Sequence, residues 1–283
     1  MKAYLDCYPC LLRQAIQAAR LATSDEGVQH RVLREVLREL QGVRVDARPV
    51  DFAPSVHAAV RRVTGCDDPY EALKSSSNER ALAVYPEVSD VVSKLSDPLL
   101  GAAKLAAAGN IADCAIADQF DFDAVVRKAM AEEFGLDHYA LFGDELSRAD
   151  RILYLADNAG EIVFDRLFIE HLKCRNLTVA VKASPLLNDA TEVDAQAAGI
   201  CDLAEIVTNE NGWPQPDLAD ASPKFRDGFL NADLIIAKGQ GNYEALSDSD
   251  ANLFFLLTAK CSVVSGDLGV NVGDLVLMKA GER

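Results

Sequence analysis

The sequence has few basic residues and no long apolar segment. No apolar run reaches the roughly 18 to 20 residues that a membrane-spanning helix needs. The first ten residues, MKAYLDCYPC, place Asp6 and two cysteines where a secretory signal requires an apolar stretch. Lys and Arg number 28 against 44 Asp and Glu, which gives a formal net charge of −16. Nucleic-acid phosphates need a positively charged partner. We therefore expect a cytoplasmic protein that binds neither membranes nor nucleic acids.

Cysteine pairing is also not expected. Seven cysteines are an odd number spread over 283 residues, which favours free thiols in a reducing compartment. Cys7 and Cys10 form a C-x-x-C at a predicted helix start, where thiol pKa values fall and redox or zinc chemistry becomes possible. No second C-x-x-C follows, and none of the four histidines is spaced to complete a zinc site. Structural, metal-binding and redox roles all stay open for this pair.

The apolar pattern divides the chain into two parts. Up to about residue 145 the apolar positions recur at helical spacing, as in Val32, Val36 and Leu40, which predicts a mainly helical domain over residues 1–145. Residues 146–283 alternate short strand-like runs, such as RILYLA and ADLIIAKG, with helix-like ones. This alternation predicts an α/β Rossmann-like domain with a mainly parallel sheet covered on both faces.

Polar residues follow the predicted strands. In an open parallel sheet, ligands bind beyond the carboxyl ends of the strands. Four strand ends lead to such groups: Asp157 and Asn158, then Asn188 and Asp189, then Lys238, Gly239, Gly241 and Asn242, and finally Lys260. The oxygens of Asp157, Asn158 and Asp189 suit a hard divalent cation, and the glycines and lysines suit an anion. DNAG alone is more often a turn that caps a helix than a metal site.

Seven ordered motifs identify a family. They are CYPCLLRQ, DPYEALKSSSNE, AAAGNIADCAI, LADNAGEIVFDRL, KASPLLNDAT, KGQGNYEAL and LLTAKCSVVSGDLGV. Over nearly the whole chain the sequence resembles the DUF89 family of metal-dependent damage-control phosphatases, also called the ARMT1-like family. It is most similar to the archaeal and bacterial branch with paired N-terminal cysteines. The resemblance implies a helical N-terminal part on a three-layer α/β/α core, and hydrolysis of phosphate esters of sugars and related metabolites.

The resemblance also implies roles for individual residues. The cation, Mg²⁺, Mn²⁺, Co²⁺ or Ni²⁺, is expected on Asp157, Asn158 and Asp189. Together with Lys260 these three form the expected catalytic set. Phosphate or substrate contacts are expected from six residues: Asn110, Asp113, Lys238, Gly239, Gly241 and Asn242.

The proposed chemistry is metal-assisted attack of water on a phosphate monoester. Glu161 and Asp165 are candidates for orienting water or for supporting the metal ligands. A covalent phospho-aspartate at Asp157 also stays open, although the D-x-D pattern of aspartyl phosphatases is missing, because Asn158 and Ala159 follow Asp157. Two other functions stay open: a carboxyl methyltransferase that uses S-adenosylmethionine, although G-x-G-x-x-G is absent, and a non-catalytic phosphometabolite-binding protein. The general base, the physiological substrate and the oligomeric state are not predicted.

Overall fold

The computed structural model describes residues 1–44, 46–109, 122–209, 218 and 221–282. This part of the chain contains twelve α-helices, a short 3-10 helix at Ile200–Asp202, and one seven-stranded sheet. None of the described helices is long and apolar enough to cross a membrane. Six helices come first along the chain: α1 (Cys7–Ala22), α2 (Glu26–Gln41), α3 (Pro49–Thr64), α4 (Glu71–Ser93), α5 (Pro98–Gly109) and α6 (Phe122–Ala131).

Helices α1, α2 and α3 pack around a small core of their own. Helix α2 buries Val32, Val36 and Leu40, the same three residues whose four-residue spacing predicted a helix. The Asp25 side chain accepts a hydrogen bond from the Val28 N–H at 3.1 Å and caps the start of α2. The apolar periodicity therefore predicted these helices correctly.

Helix α5 differs from the others because every residue from 101 to 109 is buried. Apart from Lys104, which pairs with Glu133, its sequence, PLLGAAKLAAAG, is apolar on all sides, as expected of a helix enclosed by other elements. It packs against the sheet and against a second helix of the α/β part, given below as α8. Helix α5 thus joins the helical half to the sheet.

The second half carries the sheet. Its elements are β1 (Phe134–Asp137), α7 (Tyr139–Leu146), β2 (Arg151–Leu155), α8 (Glu161–Leu172), β3 (Asn176–Lys182), α9 (Glu192–Ala197), β4 (Glu205–Asn209), α10 (Pro223–Asn231), β5 (Leu234–Lys238), α11 (Gly239–Leu246), β6 (Leu253–Thr258), α12 (Ser262–Leu268) and β7 (Leu275–Lys279). The strand order is β1-β7-β6-β5-β2-β3-β4. Strands β2 to β6 are mutually parallel, whereas β7 runs antiparallel to β6 and pairs in parallel with β1.

Alternate residues of each strand enter different cores. Ile152 and Tyr154 of β2 face the layer that contains α5 and α8, while Leu153 and Leu155 face the layer that contains α10, α11 and α12. Two-sided burial is what a parallel sheet with helices on both faces requires. The fold prediction is confirmed: the protein has a helical N-terminal part and a three-layer α/β/α core with a mainly parallel sheet.

The order in which strands are added to the sheet reverses between β2 and β5. From β2 the chain continues to β3 and β4 on one side, and β5 and β6 then lie on the other side of β2. The loops that leave β2 and β5 therefore diverge and open a crevice at their carboxyl ends. The topology places the DNAG loop and the KGQGN segment on either side of this crevice.

Strands β1 and β7 are absent from the sequence-based prediction. Strand β1 is only four residues long and lies at the sheet edge, so it carries too little periodicity to be recognised. Its residues precede 146, and it nevertheless pairs with β7. The sheet thus takes one strand from the N-terminal side of the predicted domain boundary.

Candidate metal and phosphate site

The loop after β2 places two polar side chains at the crevice. Asp157 and Asn158 follow the strand after Ala156, and each is 5% exposed. The loop turns at Gly160, which has a positive φ of 78°, and α8 begins at Glu161. A residue with a Cβ is strained in this conformation, so the glycine suits the turn. The local sequence thus directs two side chains inward at the end of a strand.

The loop after β3 is joined to this turn through backbone contacts. The Ala159 N–H donates to the Asn188 carbonyl at 2.9 Å, and the Ala190 N–H donates to the Asp157 carbonyl at 2.8 Å. Asn158 and Asp189 form a single antiparallel bridge. The structure therefore brings together Asp157, Asn158 and Asp189, the three residues expected to hold a cation.

The Asn158 side chain has a defined orientation. Its Nδ2 donates to Asp157 Oδ2 at 2.7 Å and to Glu161 Oε2 at 3.0 Å. An amide nitrogen has two hydrogens, so both donors are occupied. The remaining functional atom, Oδ1, is then available as an uncharged oxygen ligand.

Asp189 is buried with an incomplete set of partners. Its Oδ2 accepts no hydrogen bond from any described residue, and Lys182 Nζ lies 3.7 Å away. Burial raises the pKa of Asp189 well above its ordinary value; the Lys182 charge opposes this rise and the Asp157 charge adds to it. A buried carboxylate oxygen without a hydrogen bond is costly unless a cation binds it.

These groups fit a hard divalent cation. The donor set consists only of oxygens, and one buried carboxylate oxygen lacks a hydrogen-bond partner within the described ranges. No three His, Cys, Asp or Glu side chains of the described residues form a cluster suited to a metal. The set here instead combines two carboxylates with an asparagine amide, which keeps the site less negative toward an anionic ligand.

Gly239 lies in direct contact with this group. It has a φ of +75°, and a Cβ built on it would lie 1.8 Å from Asp157 Oδ2. Only a glycine therefore leaves room for the Asp157 carboxylate. Asn242 Nδ2 donates to the Lys238 carbonyl at 2.9 Å and to the Ala156 carbonyl at 3.3 Å. Asn242 thus ties the carboxyl ends of β2 and β5 together, and Gly241 is partly exposed beside it.

Lys238 lies where a phosphate does not reach it. Its Nζ donates to the Ala106 carbonyl at 2.9 Å, to Glu161 Oε1 at 2.6 Å and to Asp165 Oδ1 at 2.5 Å. These contacts occupy all three ammonium hydrogens, and the residue is fully buried. We therefore correct the expected phosphate contact: the Lys238 side chain forms an internal ion-pair cluster.

Strand alternation explains the position of Lys238. Ile236, two residues earlier, faces the α5 and α8 layer, and a side chain two residues later points to the same face. Glu161 and Asp165 are four residues apart on α8 and present two carboxylates to it. The two-residue period of β5 and this acidic pair were the sequence signals for an ion pair.

Lys260 follows β6, which is parallel to β5, and so lies at the same edge of the sheet. Its backbone N–H donates to Gln240 Oε1 at 3.2 Å, and the residue is partly exposed. Its positive charge opposes the rise that burial causes in the pKa of Asp189. Lys182 is a second cation of the site that the sequence analysis did not single out. The expected substrate residues Asn110 and Asp113 lie outside the described residues.

The pKa values of the N-terminal cysteines differ from the sequence-based prediction. Cys7 is the first residue of α1, as the motif predicted, and both Cys7 and Cys10 are free thiols. Burial raises their pKa values, whereas a helix start alone lowers a thiol pKa. Desolvation is thus the larger effect here, and it favours the protonated, less reactive form.

Comparison with known proteins shows the family of the chain. The family model described as "Damage-control phosphatase ARMT1-like domain" matches residues 3–276. A damage-control phosphatase of Archaeoglobus fulgidus is 35% identical, over 95% of this chain and 96% of that protein. Damage-control phosphatase PH1575 of Pyrococcus horikoshii is 32% identical, over 99% and 98%. A crystal structure of the DUF89 family protein PH1575 superposes with a TM-score of 0.89 at 31% identity, and the match covers 99% of both chains. The chain therefore belongs to the ARMT1-like (DUF89) family of damage-control phosphatases, which confirms the prediction of a phosphatase.

Proposed function

We propose that the protein hydrolyses phosphate monoesters of small metabolites with a divalent cation held by Asp157, Asn158 and Asp189. One observation carries this assignment: a buried Asp189 oxygen without a hydrogen bond from the described residues lies beside an asparagine whose amide hydrogens are both occupied. A site with these properties favours a positive ion over an uncharged ligand. The physiological ion is one of Mg²⁺, Mn²⁺, Co²⁺ and Ni²⁺, and the odd number of cysteines supports a cytoplasmic location.

The residues around the ligands prepare the site for an anion. When bound, a divalent cation supplies positive charge to phosphate oxygens and activates water for attack. Lys260 adds a further cation at the rim, and the Lys182 charge offsets one of the two buried carboxylates. These cations let an acidic protein, with a net charge of −16, accept a phosphate dianion.

The start of α11 provides hydrogen-bond donors. The first N–H groups of a helix have no acceptor within that helix, and the helix dipole makes this end positive. Gly239 and Gly241 lie in this first turn, where the lack of side chains allows close approach of phosphate oxygens. We assign these N–H groups and Lys260 to the phosphate, and we assign Asn242 to holding the turn in place.

The test is hydrolysis of an aryl phosphate by chelator-treated protein, with each of the four metals restored in turn. Turnover should return with at least one metal and should be lost in Asp157→Ala and Asp189→Ala. Asp90→Ala, which removes an exposed carboxylate on α4, is the matched control and should keep wild-type activity. Folded protein without turnover under any metal would overturn the proposal, and phosphate binding without turnover would favour a phosphometabolite-binding protein.

A further inference from the structure

Helix α4 belongs to the helical half and yet buries polar residues against the proposed metal site. Lys74, Ser77 and Asn78 are all buried on one side of this helix. Asn78 is 4% exposed, so its amide must find partners within the protein. Its two partners belong to two separate segments of the α/β core.

A single amide connects the two segments that carry the proposed ligands. Asn78 Oδ1 accepts from the Gly160 N–H at 2.6 Å, and Asn78 Nδ2 donates to Asp194 Oδ1 at 2.8 Å. Gly160 lies two residues after Asn158, and Asp194 lies five residues after Asp189. The Asn78 side chain therefore spans the distance between the two loops.

The second partner, Asp194, is itself held in place. Its Oδ2 accepts from the Thr191 N–H at 2.9 Å and from the Thr191 hydroxyl at 2.7 Å, which caps the start of α9. Lys74 Nζ lies 3.7 Å from the same oxygen and 2.7 Å from Asp68 Oδ2. The buried Asp194 charge is thus balanced, and its position is determined by three neighbours.

Helix α4 also packs tightly against the turn at 157–160. A Cβ built on Gly160 would lie 2.8 Å from Ser77 Cβ. The turn that carries Asp157 and Asn158 therefore packs directly on α4. Since Asn78, Ser77 and Asp194 are buried in these contacts, they act on the site through its backbone.

We propose that Asn78 is a positioning residue, which sets the spacing between the turn at 157–160 and the segment at 189–194. This inference rests on the metal site proposed above. It makes the affinity for the cation depend on a residue of the helical half. Residues that orient metal ligands typically change affinity or activity by about 10- to 100-fold when they are replaced.

A pair of substitutions tests the hydrogen bond itself. Asn78→Asp sets two carboxylates against each other and removes the donor to Asp194, so we expect Mn²⁺ binding to weaken by about 10- to 100-fold. Combining Asn78→Asp with Asp194→Asn exchanges the two groups. The introduced amide then donates to the introduced carboxylate, which still accepts from the Gly160 N–H. The exchange also keeps the net charge of the pair, which moves from residue 194 to residue 78, one turn along α4 from Lys74, so we expect affinity close to that of the wild type.

A control separates positioning from loss of stability. Val92 lies fourteen residues further along α4, about 21 Å away at 1.5 Å per residue, and it is fully buried. Val92→Ala should lower the midpoint of thermal unfolding without changing the Mn²⁺ dissociation constant. Calorimetric titration of each folded, metal-free variant with Mn²⁺ measures the affinity directly.

The outcomes distinguish this inference from the proposed function. Wild-type protein that binds no Mn²⁺ would overturn the metal site, and the positioning role with it. If the wild type binds Mn²⁺ and Asn78→Asp binds it equally well, only the positioning role is overturned. The same holds if the exchanged pair fails to restore affinity, or if Val92→Ala weakens Mn²⁺ binding as much as Asn78→Asp does.

Discussion

Replacement of Gly239 by alanine tests whether the Asp157 carboxylate is held at the proposed site. The added Cβ would lie 1.8 Å from Asp157 Oδ2 and 2.2 Å from Asp157 Cγ, far inside van der Waals contact. The carboxylate must therefore move by more than 1 Å or the KGQGN turn must shift. A misplacement of about 1 Å costs on the order of 100-fold in rate, and we expect a loss of this size in metal-dependent turnover.

The substitution also strains the backbone, and this part of the effect needs its own control. Gly239 has a φ of +75°, in the left-handed region where a residue with a Cβ costs about 1 to 2 kcal/mol. Gly269, which ends α12, has a φ of +72°, and a Cβ there would meet no atom within 4 Å. Gly269→Ala should therefore lower the free energy of unfolding by about 1 to 2 kcal/mol, and each kcal/mol corresponds to about 2 to 4 °C in melting temperature. It should leave turnover unchanged.

The assay is hydrolysis of an aryl phosphate with saturating Mn²⁺, alongside thermal unfolding of both variants. The expected pattern is a loss of stability in both proteins, larger in Gly239→Ala because the overlap with Asp157 adds to the backbone strain, and a loss of turnover in Gly239→Ala alone. Equal turnover in the two variants would refute the reasoning, since it would mean that the Asp157 position does not matter for the reaction. Full activity of Gly239→Ala would refute it most directly.

Three further predictions concern buried ionisable groups. Burial lowers the pKa of His57 to about 4 from 6.5, so between these pH values the unfolded chain binds a proton that the folded protein does not. The free energy of unfolding should therefore fall by about 2 kcal/mol as the pH is lowered from 6.5 to 5, and it should fall less in His57→Gln. Burial raises the pKa of Glu244 to about 7, so the folded protein holds that proton more tightly; stability should fall as pH rises from about 4.5 to 7, and Glu244→Gln should reduce this fall. Lys238→Met leaves Glu161 and Asp165 buried without their cation, and the free energy of unfolding measured with urea should fall by roughly 3 to 5 kcal/mol.

Urea unfolding at several pH values checks all three predictions. Identical pH dependence in His57→Gln and the wild type would contradict the first, and identical dependence in Glu244→Gln and the wild type would contradict the second. For the third, Lys224→Met is the control, because that lysine pairs with Glu205 at the protein surface and such pairs contribute little. Equal stability of the two lysine variants would show that the buried cluster is not needed.

The sequence predicted those parts of the site that follow from local pattern. The apolar runs of β2 and β5 mark buried strands, and the polar residues and glycines of the proposed site come soon after these strands in the sequence. Because parallel strands end at one edge of a sheet, Asp157 and Gly239 could be expected near each other without coordinates. Strand β1 was missed because four edge residues carry almost no periodic signal.

Other features could not be inferred along the chain. Asn78 contacts Gly160 and Asp194, which are 82 and 116 residues away, and nothing in SSSNE indicates which backbone groups lie above it. The side-chain direction of Lys238 depends on the strand face, and a shift of one residue reverses that face. Its role therefore changed from a phosphate contact to an ion pair once the packing of β5 against α8 was known.

The sequence by itself determined the family, the α/β/α architecture and the three residues proposed to hold a cation, because these depend on periodicity and on motifs of adjacent residues. The tertiary structure decided which polar groups meet. It paired Asp189 with Asn158 through backbone hydrogen bonds between their chain neighbours, placed Gly239 against Asp157, and set Asn78 of the helical half beneath the turn. The physical reason is that a buried polar group is satisfied by partners close in space, and the packing of distant segments determines which partners those are.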